Sequence, residues 1–103
     1  MDDEFPFEPP ALGEEIDEQD RLVRLERLQQ STDLMWLMSH KQGRRIASRL
    51  LEQAGVFRSS FNEAPSVMAF NEGRRDMGIW ITAELLAAAS DEYFTMLREF
   101  HER

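Results

Sequence analysis

The chain has no cysteine and only two histidines, His40 and His101. The first absence removes a disulfide framework, a thiolate metal site and a cysteine nucleophile, and it fits a reducing compartment. Neither histidine has a second ligand three or four positions away, so a zinc site has no support in the spacing. No apolar run approaches the roughly 18 residues that a membrane span requires. The acidic N-terminus is the reverse of the basic start of a signal peptide. Basic residues are missing from positions 1–20, which hold nine acids, whereas positions 21–103 carry twelve bases and eleven acids. The net charge of −8 is therefore a feature of the N-terminus. With no basic face to follow a phosphate backbone, direct nucleic-acid reading is not expected.

Proline is also scarce, and three of the four stand at Pro6, Pro9 and Pro10. They withhold amide donors and push their neighbours towards extended geometry. Residues 1–15 accordingly read as an extended acidic arm and residues 16–103 as a helical domain. Phe5 and Phe7, two apart among acids, are candidate anchors for a docking strand. A solvated leader is the plainer alternative.

Beyond the arm the chain is helical in period. From about Asp17 to Gln30, Leu22, Val23, Leu25 and Leu28 share one side, with Arg21, Arg24 and Arg27 mostly opposite. Ser31-Thr32-Asp33 reads as a break or re-cap before Leu34–Met38, a run apolar on nearly all sides. A helix at about Gln42 to Ala54 shows the stripe Ile46, Ala47, Leu50, Leu51 and Ala54, closed by Gly55 as a left-handed cap. Phe57 and Phe61, in the next connection, are expected to tuck back onto the helices.

Ser66 then caps a long helix reaching about Ala89, with Val67, Phe70, Arg74, Met77, Ile81, Leu85 and Ala88 on one face. Gly73 and Gly78 inside it cost about 1 kcal/mol each relative to alanine, which predicts a close backbone approach at both. Arg74 interrupts the stripe and needs a carboxylate partner or a route to water. Ser90 starts a last helix with Tyr93, Phe94, Leu97 and Phe100 inward. Nothing alternates with the period of a strand. The fold class is all-α: a small bundle of four to five helices behind the arm.

Chemistry is sparse. No glycine-rich phosphate loop is present. Glu72 and Asp76 are one helical turn apart with Arg74 and Arg75 between them, the pattern of a surface ion-pair network. A DNA-reading helix-turn-helix centred on Gly55 fails because Leu51 is bulky where a small residue is needed, and Pro65 would interrupt the recognition helix. Catalytic, cofactor and metal residues are therefore all set at none. Arginine is favoured at interfaces for its planar multi-donor head, and tryptophan is a frequent anchor. The candidate partner-binding residues are Phe5, Phe7, Trp36, Arg44, Arg45, Arg74 and Arg75. Pairing with acids of the same chain is the competing role for the arginines. The two Gly-Arg-Arg triplets, Gly43-Arg44-Arg45 and Gly73-Arg74-Arg75, have poorly matched flanks, against an internal duplication.

The stretch DLMWLMSHKQGRRIASRLLEQAGVFRSSF with the later FNEGRRDMGIWI resembles the Bordetella-phage Bbp-nineteen-like domain family of tailed bacteriophages. The likeness runs from about Asp33 to Leu86. It is carried by GRR-x4-LL-x3-G-x-F (Gly43, Arg44, Arg45, Leu50, Leu51, Gly55, Phe57) and by NEGRR-x2-G (Asn71, Glu72, Gly73, Arg74, Arg75). The acidic leader lies outside it. The resemblance implies a small helical protein encoded among phage head and portal genes, and it supplies a setting without a mechanism. The expected function is a non-enzymatic virion structural or assembly protein. It would dock on a larger portal, capsid or internal head protein, with further copies of itself as a second kind of partner. It would reside in the virion, and in the host cytoplasm during assembly, with no membrane partner. The alternative is a small phage effector that inhibits a host enzyme through its acidic arm.

Overall fold

A computed structural model describes the backbone of residues 10–101 and the side chains of residues 15–101. Four α-helices account for nearly all of it: α1 Pro10–Met38, α2 Lys41–Ala54, α3 Pro65–Ala88 and α4 Ser90–His101. No strand occurs among the described residues, so the all-α expectation holds. The expected extended arm lies outside the described residues up to position 9. At its other end α1 already includes residues 10–14, which the prolines predict to be extended. A proline at the first helical position has no amide that the helix needs, and its fixed φ suits the first turn.

The described residues divide into two units, one ending at Gln30 and one beginning at Ser31. In the first, every described side chain from Glu15 to Gln30 is exposed. Within this unit the expected stripe of Leu22, Val23, Leu25 and Leu28 is 48–64% exposed. Glu18 and Arg21 form an exposed ion pair at 2.6 Å. The break expected at Ser31-Thr32-Asp33 does not occur, and α1 continues to Met38. Serine, threonine and aspartate are only mildly unfavourable inside a helix, too little to stop one.

The second unit holds the bundle. The last turn of α1 sends Met38 into a core built from Ala47 and Leu51 of α2, Leu85 of α3, Ala89, and Tyr93 and Met96 of α4. Met38, Leu51, Leu85 and Met96 are fully buried, and each contributes about 1.5–3 kcal/mol by leaving water. The buried stripe on α2 is Gly43, Ala47, Ser48 and Leu51. Ile46 and Leu50, expected inside, are 48% and 57% exposed. The reason is a close approach: a Cβ on Gly43 would overlap the carbonyl oxygen of Leu37. That contact turns α2 onto its small residues.

Gly55 closes α2 in the left-handed region (φ 82°), and its amide bonds to the Leu51 and Glu52 carbonyls, as its place in the sequence predicts. Beyond it, Phe57 reaches back to stack on Phe100, centroids 5.7 Å apart, although half of it stays exposed. Phe61 does not tuck back and is 71% exposed. The connection instead closes on itself. The Ser59 hydroxyl accepts from the Phe61 amide and the Asn62 side-chain oxygen from the Ala64 amide. Pro65, and not Ser66, begins α3, with Ala64 in extended geometry as its cap.

No backbone closes on Gly73 or Gly78 as expected; at Gly78 the close approach is made by side chains, and at Gly73 there is none. A Cβ on Gly78 would lie 2.5 Å from Val56 Cγ1 and 2.7 Å from Ala54 Cβ, so the end of α2 seats on this point of α3. In α4, Tyr93 faces the core as expected, but Met96 takes the inward position expected for Phe94, which is 53% exposed.

Candidate partner-binding surfaces

The core is short along α3. From Gly78 onward the inner face is covered, with Leu85 buried and Ile81 packed against the core. Before Gly78 no side chain of α3 is buried. Val67, Phe70 and Met77, expected on the inner face, are 42%, 66% and 58% exposed. Phe70, Gly73, Met77 and Trp80 follow one another at intervals of three and four, so they share one side of the helix. Trp80 is 59% exposed, and nothing lies within 4 Å of the place where a Gly73 Cβ would be. The result is a row of large apolar side chains interrupted by a gap one side chain wide. Ile79 and Met68, elsewhere around the same helix, are exposed as well. Apolar residues repeating at the spacing of this row normally face a core, yet here they meet water.

The candidate arginines divide between the fold and its surface. Arg44 is held inside the fold. Its Nε and Nη2 donate to the two carboxylate oxygens of Glu99 at 3.0 and 3.1 Å, and its Nη1 donates to the Met38 carbonyl at 3.0 Å. The side chains are 15% and 29% exposed. The hydrogen bonds from Arg44 hold the Glu99 carboxyl below its ordinary value against the opposing effect of burial, and the same bonds raise Arg44. A depressed carboxylate adds stability that is complete above its unfolded value and is lost as pH falls through that range. The pair ties the end of α1 and the start of α2 to α4. Glu99→Gln should cost about 1.5–3 kcal/mol at neutral pH. It should also flatten the fall in melting temperature below about pH 4.5, measured by thermal melts from pH 7 to 3.

Arg45 is exposed beside this pair. Together with Lys41, Arg44, Ser48, Met96, Glu99 and Phe100 it lines a cleft of about 180 Å³ between α2 and α4. On α3, Arg74 meets no carboxylate among the described residues: it donates to the Asn71 side-chain oxygen at 3.1 Å and lies 5.2 Å from the centroid of Phe70. Arg75 is half-buried, and its Nε is enclosed without a hydrogen-bond partner. Trp36 is 66% exposed, and its carbonyl accepts from Ser39 and His40 where α1 ends. Phe5 and Phe7 lie outside the described residues. The two triplets thus sit in unlike settings, with Gly43 closed by Leu37 and Gly73 open. Periodicity alone missed Lys41 and Glu99.

Among the described residues no three acids or histidines are grouped to hold a metal ion, and no helix is long and apolar enough to cross a membrane. A family model described as Bbp19-like phage protein matches residues 34–98. No curated protein matches the chain, and no solved structure does. The family match starts in the last turns of α1 and runs through most of α4, further than the likeness read from the two arginine motifs. It covers the helical bundle and leaves out the leader and most of α1. Well over half of the chain is matched, and the chain belongs to the Bbp19-like phage protein family.

Proposed function

We propose that this protein is a non-enzymatic structural or assembly component of a bacteriophage particle. It docks through the open side of α3 on a larger head, portal or internal-core protein, in the virion and in the host cytoplasm while particles assemble. The observation that carries the reading is the row Phe70, Met77 and Trp80 around the vacant side of Gly73. Scattered apolar residues on a surface need no explanation, but a contiguous row on one helix marks an interaction site. Large aromatic side chains are the usual anchors of a protein interface, and the open space at Gly73 leaves room beside them for a partner's side chain. The family places the protein in phage biology, where larger structural proteins offer such a partner.

Capture of the tagged chain from infected cells, with the bound proteins identified by mass spectrometry, tests this. The expected result is one phage head, portal or internal protein as the main species. Recovery of a host enzyme in its place would favour the effector role and overturn the structural one.

A further inference from the structure

The cleft between α2 and α4 is a second surface of different character, and no residue of α3 lines it. Its floor is apolar: Met96 is buried, and Phe100 is half-buried and stacked on Phe57. Its charge is not balanced. Glu99 is matched by Arg44, whose Nε, Nη1 and Nη2 are all engaged within the fold. Lys41 and Arg45 remain, both exposed, as two surplus cations at the rim. Pockets for drug-sized molecules run from about 300 to 1,000 Å³, so a space of about 180 Å³ suits a single inserted side chain.

A fitting occupant is an acidic segment that offers an aromatic ring. This chain contains one such segment, Asp2-Asp3-Glu4-Phe5-Pro6-Phe7-Glu8, with four acids, two phenylalanines and no base. We propose that the cleft receives this segment from a neighbouring copy of the protein. Phe5 or Phe7 sits on Met96 and Phe100 while the flanking acids meet Lys41 and Arg45. Pro6 restricts the segment before it binds and so lowers the ordering cost of docking. A nucleic acid is the poorer fit, because the rest of the chain offers no excess of positive charge to follow a phosphate backbone. Leader into cleft joins two different patches, so repetition builds rings or open chains.

The test uses the full-length chain and a labelled peptide of residues 1–10. Roughly micromolar binding is expected at low salt, weakened in about 0.5 M salt because exposed charges are then screened. Lys41→Glu with Arg45→Glu should weaken it by about tenfold or more, with circular dichroism unchanged because both side chains are exposed. Peptide carrying Phe5→Ala and Phe7→Ala should weaken it by a similar factor. In sedimentation, the intact chain should associate with rising concentration, and the charge-reversed variant should not. Equal affinity in the charge-reversed chain or for the alanine peptide overturns the proposal. A concentration-independent monomer overturns it too, as does preferential displacement of the peptide by a DNA oligonucleotide. Phe70→Asp with Trp80→Asp should leave peptide binding intact, which keeps this result separate from docking through α3.

Discussion

Gly43→Ala is expected to be the most damaging single methyl group in the chain. The added carbon would occupy the position of the Leu37 carbonyl oxygen, and a backbone atom cannot rotate away as a side-chain tip can. Relief requires the end of α1 to move off α2. That withdraws Met38 from the core and pulls its carbonyl from Arg44. Overpacking of a tight contact typically costs about 1–3 kcal/mol and occasionally more, and this case belongs at the upper end. For a unit of this size a loss of about 3 kcal/mol lowers the melting temperature by at least about 12 °C. Thermal denaturation followed by circular dichroism measures it, and a change of only a degree or two would contradict the packing described. Gly73→Ala, the same change in the second triplet, should do the opposite. With open space around it, alanine should stabilise α3 by about 1 kcal/mol through helix propensity alone. If a partner's side chain occupies the gap, that variant gains stability and loses affinity.

The largest functional effect is expected from Phe70→Asp combined with Trp80→Asp. Both rings are mostly exposed, so the folded chain sacrifices little beyond the contact of Arg74 with Phe70, worth about 0.5–1 kcal/mol. An interface anchored by two aromatic residues loses at least about 2 kcal/mol for each when they are removed. The combined fall in affinity for the phage partner should therefore exceed about 100-fold. Binding of wild-type and variant chains to the captured partner, with melting temperatures measured in parallel, separates the outcomes. A large loss of stability with unchanged affinity would show that the row belongs to the fold.

Much of the fold was legible because helices announce themselves locally. The helical periods, Gly55 as a left-handed cap and Tyr93 as an inward residue depend on near neighbours in the chain. The misreadings depend on distant ones. Ile46 and Leu50 repeat with the right spacing, but the approach of Leu37 to Gly43 sets the buried side of α2 on Gly43, Ala47, Ser48 and Leu51 and leaves those two outside. Val67, Phe70 and Met77 continue the stripe of Leu85 faithfully, yet α2 ends against Gly78 and the core stops there. Period fixes which side of a helix is apolar and is silent on how far its neighbours extend. Arg44 illustrates the same limit. Its residue type allows pairing with an acid of a neighbouring helix or with a partner, and selecting Glu99 requires knowing that α2 and α4 lie together.

Particles and their precursors separated by density from infected cells give the most direct measurement of the central claim, that a larger phage protein holds this one through α3. The claim predicts that the wild-type chain travels with at least one assembly stage at a fixed ratio to the captured head, portal or internal protein. It also predicts that the Phe70→Asp, Trp80→Asp chain remains in the soluble fraction. Wild-type protein confined to the soluble fraction at every stage, or the variant still present on the particles, would contradict it.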